Sequence, residues 1–391
     1  MTIDGIQTSA PLAVKNATVA LLTNFLPPYR IPLFEALERE LGALRIFLST
    51  RMEPNRPWPV QWRQLKVTLQ RTFSFRQTWR HPNGFSEPLY VQIPYDTLWA
   101  LAAIRPQVVV SGELGLRTIL AAAYRWLAPH SRLIVWATLS EYSEQGRGRL
   151  REWLRRWILR SVDAVLVNGE SGARYIRHFG VPDERIFRVP YTTNSEPFSA
   201  VPMDRAERSH PRLLYVGQLV ERKGLQHLFE VLGHWGAAHP DAELELWLVG
   251  DGPQRPELEA SRLPSNITCQ FLGNIAYDEL PGVYAQADLF VLPTLADEWG
   301  LVVNEAMASG LPVLGSRYAQ AVEELVVEGE NGWIFRPDDA DDMRAAMERA
   351  LATPGDRLEA MRSAARSRVE SLTPELVAAK MVAAIRYVLE R

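Results

Sequence analysis

At 391 residues and 47% hydrophobic side chains, the chain has the length for two or three domains and enough apolar material for conventional cores, so it reads as globular. A single cysteine, Cys269, excludes an internal disulfide framework and a cysteine-based zinc site, and fits a reducing compartment with the cytosol as default. The net charge of −3 is unevenly spread: residues 1–200 carry 25 Lys+Arg against 16 Asp+Glu, a balance of +9, and the other 191 carry 18 against 30, a balance of −12. Halves so different suggest two domains with different partners, one of them anionic, although ordinary surface variation also gives such a split. No apolar run approaches the roughly 20 residues that span a bilayer. The opening "MTIDGIQTSAPLAVKNATVALLTNF" has neither a basic n-region nor a cleavage pattern, so neither a span nor a secretion signal is expected.

The first strand is "ATVALLTNF", an apolar run ending in polar residues. In "PPYRIPLFEALERELG", Ile31, Leu33, Phe34, Leu37 and Leu41 fall at helical spacing, and "ALRIFLST" follows as a second strand. The alternation returns in "YDTLWALAAIRP", "QVVVSGE", "LRTILAAAYRWLA", "RLIVWATLS", a helix near 147–160, "AVLVNGE", "SGARYIRHFG" and "RIFRVPY". Strands alternating with helices imply a parallel sheet wrapped by helices. "NSEPFSAVPMDRAERSHPR" is polar, proline-rich and aperiodic, and reads as a linker. The pattern then restarts with "RLLYVGQ", "KGLQHLFEVLGHW", "AELELWLVGDGP", "ITCQFLGN", "DLFVLPT", "VVNEAMASG", "LPVLGS" and "NGWIFRP". The expected domains are therefore 1–198, a linker over 199–211, and 212–373. A last helix over 374–391, "PELVAAKMVAAIRYVLER", is free to cross back to the first domain.

The most informative stretch is "PTLADEWGLVVNEAMASGLPVLGS", where Asp297 and Glu305 flank a predicted strand-to-helix junction in an otherwise apolar run. In open parallel sheets, ligands sit outside the carboxyl ends of the strands, where helix N-termini aim free N–H groups at anions. Asp297 falls in the loop past the strand and Glu305 about one turn into the helix. Two acceptor-only carboxylates at such a place suit a ligand with phosphate in the middle and vicinal hydroxyls at both ends, the layout of a sugar nucleotide.

The spacing of "DEWGLVVNE" resembles the paired-acid signature of glycosyltransferase family 4, and "EAMASGLPVLGS" resembles its continuation into the next strand. "LLYVGQLVERKGLQHLFEVL", "LWLVGDGP", "FLGNIAYDELPGVYAQADLFVLPT" and "ENGWIFRPDD" are similar to that family's later blocks, in order. "SVDAVLVNGESGARYIRHFGVPDERIFRVPYTTNSEPF" resembles the end of its acceptor domain. The resemblance implies an α/β protein of the GT-B type, with two Rossmann-like domains facing across a cleft and the C-terminal helix returning to the first. It also implies a retaining, metal-independent transferase with no cofactor beyond its nucleotide-diphosphate sugar substrate.

Carried over residue by residue, the resemblance implies that Glu305 holds the ribose hydroxyls. Asp297 would hold hydroxyls of the transferred sugar, with the N–H groups of Trp299, Gly300, Leu301 and Val302 nearby. Asp is one methylene shorter than the family's usual Glu here, and Glu298 is an alternative. Lys223 sits where relatives place a phosphate lysine. The usual Arg is replaced by Gln218, which leaves Arg222 to compensate, and Gly217 would let the backbone approach the phosphate. Gly250 and Gly252 form a tight loop near the base, and Leu272, Gly273 and Asn274 would present backbone groups to it. In the first domain Thr138 stands where relatives often carry a catalytic-site histidine. Glu113 and Glu141 follow strand ends and are candidates for contact with the acceptor hydroxyl, although the donor phosphate itself is thought to serve as base in such enzymes. Pro28, Tyr29 and Arg30 occupy the first strand-to-helix loop, where Arg30 would approach the donor phosphate or an anionic acceptor, or would be a plain helix-start charge.

Two segments bear on the acceptor. Residues 54–86 hold six Lys/Arg and no acid, with Trp58, Trp62 and Trp79 interleaved, and "RGRLREWLRRWILR" is an arginine-rich helix with two tryptophans. In that helix Leu150, Trp153, Leu154, Trp157 and Ile158 form a stripe that reads first as core packing beneath a solvated arginine face, and second as contact with an anionic membrane surface. No recognition motif supports nucleic acid as a partner. The expected protein is thus cytoplasmic or peripheral at the inner membrane surface, moving a hexose-type sugar to a glycan, lipid-linked or small-molecule hydroxyl. A sugar-nucleotide epimerase or phosphorylase of the same plan, and a non-catalytic nucleotide-sugar-binding subunit, are the alternatives.

Overall fold

The computed structural model describes residues 12–54, 60, 62–205 and 208–391. Trp58 therefore lies outside the described residues, as do residues 206 and 207 of the expected linker. The chain divides into two units. One holds the described residues up to Trp79, Pro88–Thr193 and Thr373–Arg391, and the other holds Arg80–Glu87 and Asn194–Leu372.

The first unit is built on a seven-stranded sheet of β1 (Thr18–Thr23), β2 (Ala43–Leu48), β3 (Val67–Leu69), β6 (Val108–Gly112), β7 (Arg132–Ala137), β8 (Ala164–Val167) and β9 (Ile186–Arg188), in the order β3-β2-β1-β6-β7-β8-β9. Between β3 and β6 the chain makes a two-stranded ribbon, β4 (Thr72–Arg80) and β5 (Ser86–Pro94). Every pairing in the large sheet is parallel. β1 and β7 are apolar over nearly their whole length and buried from their second residue, as expected for strands covered on both faces.

The last helix, Pro374–Leu389, belongs to this unit and packs on helix Ile31–Glu40. Thr373 caps it by accepting a hydrogen bond from the Leu376 N–H, and Glu375 pairs with Arg39 at 2.9 Å. Among the described residues, no helix is long and apolar enough to cross a membrane.

The second unit carries a six-stranded sheet of β10 (Arg212–Val216), β11 (Leu244–Val249), β12 (Ile267–Gly273), β13 (Leu289–Leu292), β14 (Val313–Ser316) and β15 (Gly332–Phe335), in the order β12-β11-β10-β13-β14-β15. All of its pairings are parallel too. Each unit therefore has the doubly wound order of a Rossmann-like fold, with a switch point beside its first strand.

Three expectations need correction. The expected linker over 199–211 is part of the second unit. Arg205 donates to the carbonyls of Ala285 at 3.0 Å and Ser309 at 2.5 Å, Arg208 pairs with Asp288 at 3.1 Å, and Phe198 is buried against Tyr284. Polar composition hid these anchors, because the arginines bond to groups far away in sequence. Residues Arg80–Glu87, inside the expected first domain, also belong to the second unit. Finally, helix Arg149–Arg160 buries Ile158 and Leu159 but leaves Leu150 79% and Trp153 63% exposed, while Arg155 is buried and bonded to Glu144 and the Tyr175 hydroxyl. Leu154 and Trp157 pack against the same core, so the stripe marks core at Leu154, Trp157 and Ile158 but not at Leu150 and Trp153.

Candidate active site

In the second unit the order of strands reverses between the parallel neighbours β10 and β13, and the loops leaving these strands meet at their carboxyl ends. After β10 the chain makes a tight turn, Glu221–Lys223, before helix Leu225–Ala238. Gly224 makes the turn at φ +67°, and a Cβ there would lie 2.1 Å from the Pro293 carbonyl oxygen. Only glycine allows that approach. The two loops are then stitched together: the Leu295 N–H donates to the Arg222 carbonyl at 2.8 Å, and the Thr294 hydroxyl to the same oxygen at 3.1 Å.

This stitching brings Lys223 Nζ to 2.5 Å from Asp297 Oδ2. Arg222 Nη1 lies 3.7 Å from the same oxygen and donates to the Ala296 carbonyl at 2.9 Å. Arg222 Nε donates to Glu87, from the short segment that sequence placed in the other domain. Two cations and two carboxylates thus form a neutral, largely buried cluster.

Burial acts against every charge in this cluster, and neighbours decide the outcome. Burial alone would raise the Asp297 carboxyl, but Lys223 and Arg222, with hydrogen bonds from Lys223 and the Trp299 N–H, hold it below the usual carboxylate range. Lys223 is shifted down, because burial and the adjacent Arg222 outweigh its pairing with Asp297. Arg222 is shifted up: burial opposes its charge, but Glu87 and Asp297 more than offset that.

Beyond Asp297, Gly300 at φ +98° starts helix Leu301–Ala308. The Trp299 N–H is committed to Asp297 Oδ1 at 3.5 Å, and its buried indole donates to Asn304 at 2.9 Å. The N–H groups of Leu301 and Val302 belong to the first helical turn, which has no intrahelical acceptor. Glu305 lies one turn on, 6% exposed, and accepts from the Tyr284 hydroxyl at 3.0 Å. Burial pushes its carboxyl up to about 7, against the hydrogen bonds from Tyr284 and Tyr277. Tyr284 is itself packed by Phe198, which the expected bounds put at the end of the first domain but which belongs to the second unit.

Some of the glycines at the neighbouring strand ends also have a packing task. A Cβ on Gly250, at φ +123°, would sit 2.0 Å from the Gly217 carbonyl oxygen. The Gly217 N–H donates to Val249 at 2.9 Å and the Gly250 N–H to Gly273 at 2.7 Å. Gly250 therefore lets its strand end lie against that of Gly217, and Gly252 makes room for the Leu219 backbone, whereas a Cβ on Gly217 would meet the Tyr215 hydroxyl at 2.8 Å. Leu272 is half-buried and Asn274 exposed, at the end of the edge strand β12. The Gln218 carbonyl accepts from the Tyr215 hydroxyl at 2.8 Å. Glu298 is exposed, and its carbonyl accepts from Gln320 at 2.6 Å, so Asp297 rather than Glu298 joins the buried cluster. Sequence reasoning missed Glu87, Tyr284 and Tyr277, because none lies near the paired acids in sequence.

The first unit's switch point, between β1 and β6, is built differently. Arg117 is buried, shifted down by desolvation, and donates to the Gly112 carbonyl at 3.2 Å, to Ser49 at 2.8 Å and to Asn24. Asn24 in turn donates to Glu113 at 2.5 Å. Glu113 holds φ +73°, a left-handed conformation costly for a residue with a Cβ and often found at functional sites. Arg30 is not a plain helix-start charge: its guanidinium lies 4.6 Å from the Trp136 ring centroid and 4.7 Å from that of Tyr191, and donates to the Tyr191 hydroxyl. Pro28 is exposed and Tyr29 half-buried, with its ring 6.3 Å from Tyr191. Thr138 is half-buried just past β7. Glu141 is tied to Arg174 at 2.7 Å and to Ser171 at 3.3 Å.

Comparison with known proteins follows this division. Residues 32–192 match the model of the "glycosyl transferase 4-like domain", and residues 210–353 that of "glycosyl transferases group 1". A sulfoquinovosyl transferase of Arabidopsis thaliana is 33% identical over 171 residues, 43% of this chain and 32% of its own length. An alpha-D-kanosaminyltransferase of Streptomyces kanamyceticus is 27% identical over 219 residues, 52% of this chain and 55% of its own length. The matched segments thus span about a third to a little over half of these relatives. In fold, the chain is similar to the lipopolysaccharide outer core galactosyltransferase WaaB, with a TM-score of 0.72 at 16% identity over 95% of this chain and 100% of that one. It is also similar to Anabaena HepE in complex with UDP, with a TM-score of 0.70 at 14% identity over 95% and 99%. With both halves matched in order and both sheets doubly wound, the chain belongs to the GT-B glycosyltransferases of the family 4 type.

Proposed function

We propose that the protein transfers a hexose-type sugar from a nucleoside diphosphate, UDP being the first candidate, to an acceptor hydroxyl with retention of configuration. The observation that carries this reading is the Lys223–Asp297 pair at the switch point of the second sheet, one helical turn from buried Glu305. Lys223 and Arg222 supply positive charge for the departing diphosphate, so the reading needs no metal. Asp297 accepts from hydroxyls of the sugar and Glu305 from those of the ribose. As the C1–O bond to the phosphate breaks, the acceptor oxygen bonds to C1 on the same face and its proton passes to the leaving phosphate oxygen. The names of the relatives and the UDP bound by HepE support a nucleotide-sugar donor.

Donor hydrolysis tests this: slow release of UDP from UDP-glucose is expected without acceptor, whereas tight binding with no release in any acceptor mixture would point to a non-catalytic binder.

An anionic membrane surface is the location that the first unit's side chains favour. Trp99, Trp126 and Trp153 are 71%, 59% and 63% exposed on three helices of this unit, a placement suited to a membrane interface. Co-sedimentation with phosphatidylglycerol vesicles should fall when all three are replaced by alanine; undiminished binding would reject the surface.

A further inference from the structure

At the amino-terminal edge of the first sheet, opposite the strand ends that form its switch point, lies a cavity of about 340 Å³. Its wall contains Arg132 at the start of β7, Arg185 just before β9, Arg125 and Arg160 near the ends of two helices, and Arg391. Asp163 is the one acidic side chain lining it. That carboxylate is already engaged. Arg125 clamps it through two bonds at 2.7 and 2.9 Å, and the Leu133 N–H donates to it at 2.8 Å. Arg185 reaches only the Asp163 carbonyl, at 3.0 Å, and Arg391 lies over the Tyr387 ring at 4.3 Å. Among the described residues, the side chains of Arg132 and Arg160 find no hydrogen-bond or ion-pair partner.

Five guanidinium groups around one committed carboxylate leave several cations without a counter-charge. Guanidinium groups are planar, permanently charged forks that match phosphate oxygens in pairs. The volume falls at the lower end of small-ligand sites, roughly 300–1,000 Å³. We propose that this cavity binds a phosphate-bearing anion, independently of the donor site in the other unit. Free phosphate and a phospholipid headgroup share the required chemistry. Trp126 and Leu127, which follow Arg125 and are 59% and 77% exposed, make the headgroup a source worth testing.

The test compares the full chain with the Arg132→Gln/Arg160→Gln double variant, and with Arg132→Lys/Arg160→Lys. One arm measures the rise in Tm given by inorganic phosphate over sodium chloride of equal ionic strength. The other measures co-sedimentation with phosphatidylglycerol/phosphatidylcholine vesicles against phosphatidylcholine alone. In at least one arm the glutamine variant should lose the phosphate effect by about threefold or more while the lysine variant keeps part of it. Loss in the first arm only assigns free phosphate, and loss in the vesicle arm assigns the lipid. If both arms fail to separate the glutamine variant from wild type, the proposal is wrong. Should the double variant not fold, Arg160→Gln alone, on an exposed side chain, gives the same readout.

Discussion

The two units share a strand order but use their switch points in opposite ways. In the second unit, the loops after β10 and β13 bury a neutral cluster of Lys223, Arg222, Asp297 and Glu87, whose members can exchange each other for a ligand. In the first, the corresponding place holds cations bonded mainly to neutral groups: Arg117 donates to Asn24, Ser49 and a carbonyl, with the Glu113 carboxylate 4.0 Å away, and Arg30 lies against two aromatic rings. One topology thus gives a charged exchange site in one unit and a braced frame in the other. The difference lies in loop chemistry, not in the sheets.

The sharpest way to break this comparison is through the glycines that start the helices. Gly224→Ala places a methyl 2.1 Å from the Pro293 carbonyl oxygen at φ +67°, so it should abolish nucleotide binding and cost at least about 1–2 kcal/mol of stability. Gly115→Ala, before the first unit's helix Leu116–Leu127, meets nothing within 4 Å and should change Tm very little. Differential scanning fluorimetry with and without UDP reads both, and equal effects would remove the contrast.

Next in size is Lys223→Ala. On the proposed reading it should lower turnover of the intact donor by about tenfold or more, because the ammonium would stabilise the departing diphosphate more than the bound donor. Lys223→Arg should restore part of it. Steady-state kcat with a fixed acceptor decides, and unchanged kcat would transfer the role to Arg222.

A third effect is pH dependence. With its carboxyl pushed up to about 7, Glu305 is mostly protonated at pH 6 and mostly charged at pH 8. The folded state binds the extra proton, so this group's contribution makes the empty protein less stable as pH rises between the ordinary carboxylate value and about 7. Ribose hydroxyls that donate to the carboxylate favour the charged form. UDP should therefore bind about tenfold more tightly at pH 8 than at pH 6. Titration calorimetry of wild type and Glu305→Gln checks this, and a slope that survives in the variant assigns the proton elsewhere.

The smallest effect concerns Glu87. Glu87→Gln removes one of the two carboxylates that compete for the Arg222 guanidinium, leaving Asp297 at 3.7 Å, and should tighten UDP binding by about twofold to threefold. Weaker binding would mean that Glu87 positions Arg222 rather than competing for it.

Sequence revealed the sheets because parallel strands buried on both faces are nearly continuous apolar runs, as "VVVSG" and "RLIVWA" illustrate. It revealed Asp297 and Glu305 because they share one loop and one helix. The partners that set their charge were not legible: Glu87 is 135 positions from Arg222, and Tyr284 is 21 from Glu305, on another helix. Arg155 misled for a related reason. Its charge suggests solvent, yet Glu144 and Tyr175 satisfy it in the interior. Nor does spacing distinguish a glycine that approaches phosphate from one, such as Gly250, that lets two backbones touch.

The contact between Lys223 and Asp297 bears on which molecules the second unit admits and how it lets them go. Inorganic phosphate could take the ammonium only by leaving the buried Asp297 with Arg222 at 3.7 Å as its nearest cation, and a free sugar could take the carboxylate only by stranding the ammonium. On the proposed reading, a molecule offering a phosphate and hydroxyls together would replace both partners at once, so the resting pair would favour the intact donor over inorganic phosphate or a free sugar. After such a transfer the nucleotide would keep its phosphates but lack the sugar hydroxyls, and Asp297 would regain its claim on Lys223. Re-formation of that ion pair would then help to expel the spent nucleotide.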